Sequence, residues 1–117
     1  MKNHWKNLQP DLIRQRVIIE ALTSEIITPN QMVNYLKELA KLTDMKIIHG
    51  PKAYSAHELG YGGWVHWRTS GATIYSYPTN PPLVTVDCYT CKPFNAKQAA
   101  EFTVSYFKTT KLVWKEI

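Results

Sequence analysis

Cysteine is scarce in this chain of 117 residues, which holds only Cys88 and Cys91. No apolar run approaches the roughly 20 residues that cross a membrane, and the opening Met1-Lys2-Asn3-His4-Trp5-Lys6 lacks the hydrophobic stretch of a signal peptide. The expectation is a cytoplasmic protein, away from membranes, whose two thiols stay reduced. Acidic residues are the minority, 9 Asp and Glu against 14 Lys and Arg, for a net charge of +5. That balance suits nucleic acid, a membrane surface or an anionic substrate, but the basic residues are scattered along the chain, so a solvated face is the plainer reading. Of only five glycines, three fall in Gly60-Tyr61-Gly62-Gly63. They do not precede a helix, as a phosphate-binding loop requires, and read instead as a backbone bend beside a site.

What is present is ordinary globular material, 44% hydrophobic and 20% charged. The length fits one domain. Residues 1–13 read as a tail, because Gln9-Pro10-Asp11 breaks any pattern, and residues 14–117 as the domain. Arg16 to Leu22 reads as a strand. Thr28-Pro29-Asn30-Gln31 then carries an N-cap threonine, a first-turn proline and a glutamine three after the cap. It opens a helix whose Met32, Val33, Leu36, Leu39 and Ala40 share one face. Lys46 to His49 is a short strand ended by Gly50-Pro51. Gly63 to Thr69 alternates as a strand, with Trp64, His66 and Arg68 on one side. Thr73 to Tyr77 and Leu83 to Tyr89 follow as further strands around the Pro78-Thr79-Asn80-Pro81-Pro82 turn. Asn95 and Gln98 repeat the cap signature before a helix with Ala96, Ala99, Ala100, Thr103 and Phe107 on one face, and Leu112 to Trp114 ends the series. The order β-α-β-β-β-β-α-β implies an α+β, two-layer sandwich, with both helices on one face of a mostly antiparallel sheet.

Two segments point to chemistry: Thr69-Ser70-Gly71-Ala72-Thr73-Ile74-Tyr75-Ser76-Tyr77-Pro78 and Asp87-Cys88-Tyr89-Thr90-Cys91. Together they resemble the bacterial-type S-adenosylmethionine decarboxylases, which carry a run like E-S-H-L-T-I-H-T-W-P-E followed about a strand later by D-L-F-T-C. One residue inserted in the turn over Thr79 to Pro82 aligns both. The resemblance implies a pyruvoyl cofactor made from Ser70 by self-cleavage between residues 69 and 70. Such a cofactor accepts the electrons left at Cα when an amino acid, held as a Schiff base, loses carbon dioxide. It also implies that Cys91 returns a proton to Cα, a role suited to a thiol that titrates near working pH. Cys88 has no counterpart in the family. A Cys-x-x-Cys metal or redox site is disfavoured, since strand residues three apart face opposite ways and no second ligand pair exists. Family members commonly form dimers, so a homodimer is expected.

The match departs at informative places. Tyr75 stands at the position of the family's processing histidine, and a phenol is a poorer base than imidazole at neutral pH. His66 and His57 are alternative groups for that step, set against a plain structural role. Thr79 replaces the glutamate thought to hold the ribose hydroxyls, and it cannot offer two charged acceptors to a diol. Ala56 falls at the adenine-stacking aromatic and Gly62 at a substrate-contacting serine, with Tyr61 as a substitute stacking face. Weakened nucleoside contacts favour L-arginine or L-ornithine in polyamine synthesis, with Glu58 or Asp87 receiving the cationic side chain. Asp87 reads slightly better as a strand brace. The alternatives are a genuine S-adenosylmethionine decarboxylase for spermidine synthesis, and an unprocessed, inactive homologue acting as a binding or regulatory partner. A third is an unrelated basic module that stacks nucleic-acid bases on Trp64, Trp67, Tyr75 and Tyr77. Aromatics at strand spacing more often pack the sheet, so no nucleic-acid partner is expected.

Overall fold

A computed structural model describes residues 5–117; residues 1–4 of the expected tail lie outside the described residues. The elements are β1 (Gln15–Leu22), α1 (Pro29–Leu42), β2 (Ile47–Ser55), a 3-10 turn (His57–Leu59), β3 (Tyr61–Trp67), β4 (Ser70–Tyr77), β5 (Leu83–Thr90), α2 (Ala96–Phe107) and β6 (Lys111–Glu116). The expected order of strands and helices is the observed one. All six strands form one antiparallel sheet in the order β2-β3-β4-β5-β1-β6, so β1 inserts between β5 and β6.

Both helices begin as their sequences require. The Thr28 hydroxyl accepts from the Gln31 amide at 3.3 Å while the Gln31 side chain accepts from the Thr28 amide at 2.8 Å. Asn95 accepts from the Gln98 amide at 2.9 Å. Each cap satisfies donors that a helix leaves open, which is worth about 1 kcal/mol. The helices lie on the sheet face formed by Val17, Ile19, Val65, Trp67, Ala72, Ile74, Val84 and Val86, all buried. On α1 the buried set is Met32, Tyr35, Leu36, Leu39 and Ala40. Tyr35 thus takes the place expected for Val33, which is only half-buried. Its ring stacks on Phe107 and Phe102, with centroids 4.6 and 5.4 Å away, and its hydroxyl lies 2.8 Å from that of Thr103. Because Thr103 donates to the Ala99 carbonyl, Tyr35 is the donor in that pair. The aromatic contacts and the satisfied hydroxyl together explain why a tyrosine is accommodated between the helices.

Several strand boundaries differ from the sequence expectation. Gly50-Pro51 does not end β2, which continues to Ser55 after register shifts between Ile47 and His49 and between His49 and Lys52. Proline is tolerated there because β2 is an edge strand. Thr69 lies beyond β3, in a two-residue turn with Arg68, and β4 begins at Ser70 rather than at Thr73. Among the described residues, no helix is long and apolar enough to cross a membrane.

Candidate functional site

The sheet face away from the helices carries the other half of each strand's alternation. The register aligns Arg16, Tyr89, Gly71 and His66 in one cross-strand row, and Glu20, Thr85, Tyr75 and Gly62 in another. Chemistry on this face is therefore ordered by strand pairing, not by proximity in sequence.

The first site lies at the start of β4. Ser70 pairs with Trp67 across the Arg68-Thr69 turn and with Thr90 on β5. Tight two-residue hairpins favour positive φ at the central residues. Here neither Arg68 nor Thr69 has it, and Ser70 takes φ 129° instead. That region is unfavourable for a residue with a side chain, at about 1–3 kcal/mol.

The carbonyl just before Ser70 is held by β5 and the residue that follows it. Thr69 O accepts from the Cys91 amide at 3.0 Å and from the Thr90 hydroxyl at 3.0 Å, with Cys91 Sγ at 3.6 Å. Thr69's own hydroxyl donates to Met45 Sδ at 3.2 Å. Thr90 is fully buried and its Oγ1 also accepts from the Lys92 amide at 3.0 Å, which fixes the oxygen. Of the acceptors in reach of its proton, the Thr69 carbonyl at 3.0 Å is nearer than Thr69 Oγ1 at 3.2 Å and Met45 Sδ at 3.7 Å. Preorganised donors on a carbonyl stabilise negative charge that develops on its oxygen when the carbon is attacked. The arrangement suits attack by the neighbouring serine. Thr90 was not singled out by sequence reasoning, although it lies inside the Asp87 to Cys91 motif.

The two cysteines part company. Cys91 is exposed beyond the strand end, whereas Cys88 is buried in the core. Burial, with the Asp87 charge adding, pushes the Cys88 thiol up to about 12. Only Cys91 is placed near Thr69 and accessible for proton transfer.

A cavity of about 600 Å³ opens beside Ser70, lined among others by Arg16, His66, Gly71, Asp87 and Tyr89. Asp87 receives two hydrogen bonds from Arg16, at 2.9 Å from Nε and 2.6 Å from Nη2. This is the strand-bracing role, and it ties both carboxylate oxygens. Gly71 is required sterically, since a Cβ there would lie 2.4 Å from the Val65 carbonyl oxygen.

The remaining expected residues gather at the other end of β4. Tyr75 lies on the open face five positions from Ser70, roughly 17 Å along a strand. Burial raises its pKa, with Tyr54 and Tyr77 adding. Tyr54 was missed at the sequence level: its ring lies over Gly62, where a Cβ would be 2.4 Å away. Glu58 is exposed in the 3-10 turn, and Thr79 donates to the Pro81 carbonyl at 2.8 Å. Tyr61 is partly buried against the core, on the helix side, and Trp67 lies within that core. Within one chain, then, Ser70 shares a cavity with His66 and lies next to the Thr69 carbonyl that Cys91 holds, while Tyr75, Gly62, Glu58 and Thr79 lie at the other end of β4.

A family model described as S-adenosylmethionine decarboxylase matches residues 15–117. The crystal structure of the adenosylmethionine decarboxylase from Aquifex aeolicus VF5 superposes with a TM-score of 0.75, covering 91% of this chain and 89% of that one at 19% identity. No curated protein gives a significant match.

Proposed function

The chain belongs to the S-adenosylmethionine decarboxylase family, and from that premise we propose that it is a pyruvoyl-dependent amino-acid decarboxylase that cleaves itself between Thr69 and Ser70. The observation that carries this reading is the Thr69 carbonyl held by the Cys91 amide and the Thr90 hydroxyl beside a strained Ser70. Attack by Ser70 Oγ on the Thr69 carbonyl carbon puts charge on an oxygen already facing two donors, and cleavage releases the φ strain. After cleavage the new terminus at residue 70 stays on β4 at the edge of the cavity, with Cys91 close by at the Thr69 carbonyl. A pyruvoyl group supplies an electron sink for decarboxylation. Cys91 delivers a proton from its exposed position, and the Arg16–Asp87 pair shapes the cavity wall.

The second group of residues joins the first through a homodimer. Tyr75 and Gly62 occupy the same open face as the Ser70 cavity but at its other end, so a two-fold stacking of open faces brings one chain's Tyr75 end to its partner's Ser70 end. Tyr54, Tyr75 and Tyr77 then offer aromatic faces to a cationic side chain. Because Thr79 is engaged with Pro81 and Gly62 lies under Tyr54, a ribose is poorly served. L-arginine or L-ornithine is therefore favoured over S-adenosylmethionine.

Intact mass and a denaturing gel test the first step. Fragments of 69 and 48 residues are expected, the shorter with a pyruvoyl terminus. A single uncut chain sinks the enzyme reading and leaves a binding or regulatory homologue. Carbon dioxide release is expected from arginine or ornithine; release from S-adenosylmethionine alone overturns the substrate assignment.

A further inference from the structure

Turning the ester formed by Ser70 into a pyruvoyl terminus requires a base that removes the Ser70 Cα proton. This question rests on the self-cleavage reading and sharpens it. Tyr75, at the family position, is five residues along the strand from Ser70 of its own chain, and where the proposed dimer brings the partner's Tyr75 to Ser70 it offers a phenol, a weak base near neutral pH. His57 sits in the 3-10 turn at that same distant end, which the proposed dimer turns toward the partner's Ser70, so its variant is tested beside that of His66. His49 lies on edge strand β2, opposite His66 and one strand further from β4. The groups lining the Ser70 cavity that can ionise include Arg14, Arg16, His66, Asp87 and Tyr89. The guanidinium groups hold their protons, Asp87 is doubly bonded to Arg16, and a phenol is a weak base near neutral pH.

We propose that His66 is the processing base of this chain, standing in for the histidine that Tyr75 replaces. Its Cα partner across the β3–β4 pairing is Gly71, the residue after Ser70. With no side chain at Gly71, nothing on that strand stands between the imidazole and the backbone of the cleavage site. His66 is exposed, unlike a histidine buried for packing, and its ring rests against Trp64 with centroids 4.9 Å apart, which limits its orientations. In the step assigned to it, imidazole takes the Ser70 Cα proton and the Cβ–Oγ bond breaks. The Thr69 carboxylate leaves as the new C-terminus, and residue 70 becomes a dehydroalanine whose amine end is hydrolysed by water to ketone and ammonia. Imidazole suits this step as the side chain that most often serves as a general base.

The test is the full chain carrying His66→Gln, followed by mass spectrometry, with His49→Gln as control. Loss of a general base slows the step about 10²–10⁴-fold, so His66→Gln should accumulate an uncut chain holding the Thr69–Ser70 ester. Hydroxylamine should split that chain into a Thr69 hydroxamate and a fragment beginning with serine, and added imidazole should restore pyruvoyl formation. His49→Gln and His57→Gln should cut as the wild type does, and a block at elimination in His57→Gln but not in His66→Gln overturns this inference. A His66→Gln chain that cuts at the wild-type rate overturns this inference alone. So does one that stays whole, with no hydroxylamine-sensitive bond and no response to imidazole, because the defect would then precede elimination. A wild-type chain that never cuts overturns both this inference and the proposed function.

Discussion

At Ser70 a strained backbone and a reactive neighbour coincide. Serine with φ 129° occupies a conformation that glycine adopts freely. Two uncleavable variants separate strain from chemistry. Ser70→Gly is expected to be more stable than Ser70→Ala by about 1–2 kcal/mol in urea unfolding; equal stabilities would show that the conformation carries no strain. Thr90 contributes one of two donors on the Thr69 carbonyl. Thr90→Val keeps the shape and removes the proton, so the 69- and 48-residue fragments should appear about 10²–10³-fold more slowly. An unchanged rate would assign the oxygen's stabilisation to the amide and thiol of Cys91. The motifs made Ser70 and Cys91 legible in the sequence. Thr90 was not, because the role of a motif threonine depends on which carbonyl faces it across a strand.

Among the elements, β5 does two jobs at once. Its alternation sends Val84, Val86 and Cys88 into the core and Asp87 and Tyr89 onto the open face. The Cys88 thiol is raised to about 12 by burial, whereas an unfolded cysteine titrates near ~8.5. Above that value the unfolded chain loses its proton first, so folding stability falls as pH rises from about 9 toward 12. Cys88→Ala should show a shallower decline of the urea midpoint between pH 9 and 10.5 than the wild type, and a parallel decline would remove Cys88 as a cause. Helix starts and faces were readable from the caps and periodicity of Thr28 and Asn95, because these are local. The continuation of β2 through Gly50-Pro51 was not, because an edge strand tolerates a proline that an interior strand would reject, and edge position is set by topology.

For the whole molecule, the helices cover one face of the sheet and leave exposed aromatics, Tyr54, Tyr75 and Tyr89, on the other. A dimer joined through this face should sediment at twice the 13.5 kDa chain mass. Tyr89→Asp, which would face the partner with an unpaired charge, should shift it to monomer. If wild type and variant both sediment as monomers, the two residue groups cannot share one site through dimerisation, and Tyr75 loses its proposed place beside substrate.

The sequence by itself determined the element order, the two capped helices, the apolar face of α2 and all but Tyr35 of that of α1, and the pairing of a serine motif with a cysteine motif. Each follows from spacing of a few residues, where side-chain periodicity and hydrogen-bond caps act locally. Tertiary structure alone decided which of these residues meet. Antiparallel register places Thr90 and Cys91 on the Thr69 carbonyl and His66 opposite Gly71, while it sends Tyr75 to the far end of the strand from Ser70. The contacts on the Thr69 carbonyl span 21 and 22 positions and exist only because strand pairing fixes them, and pairing partners are chosen by the packing of the entire sheet.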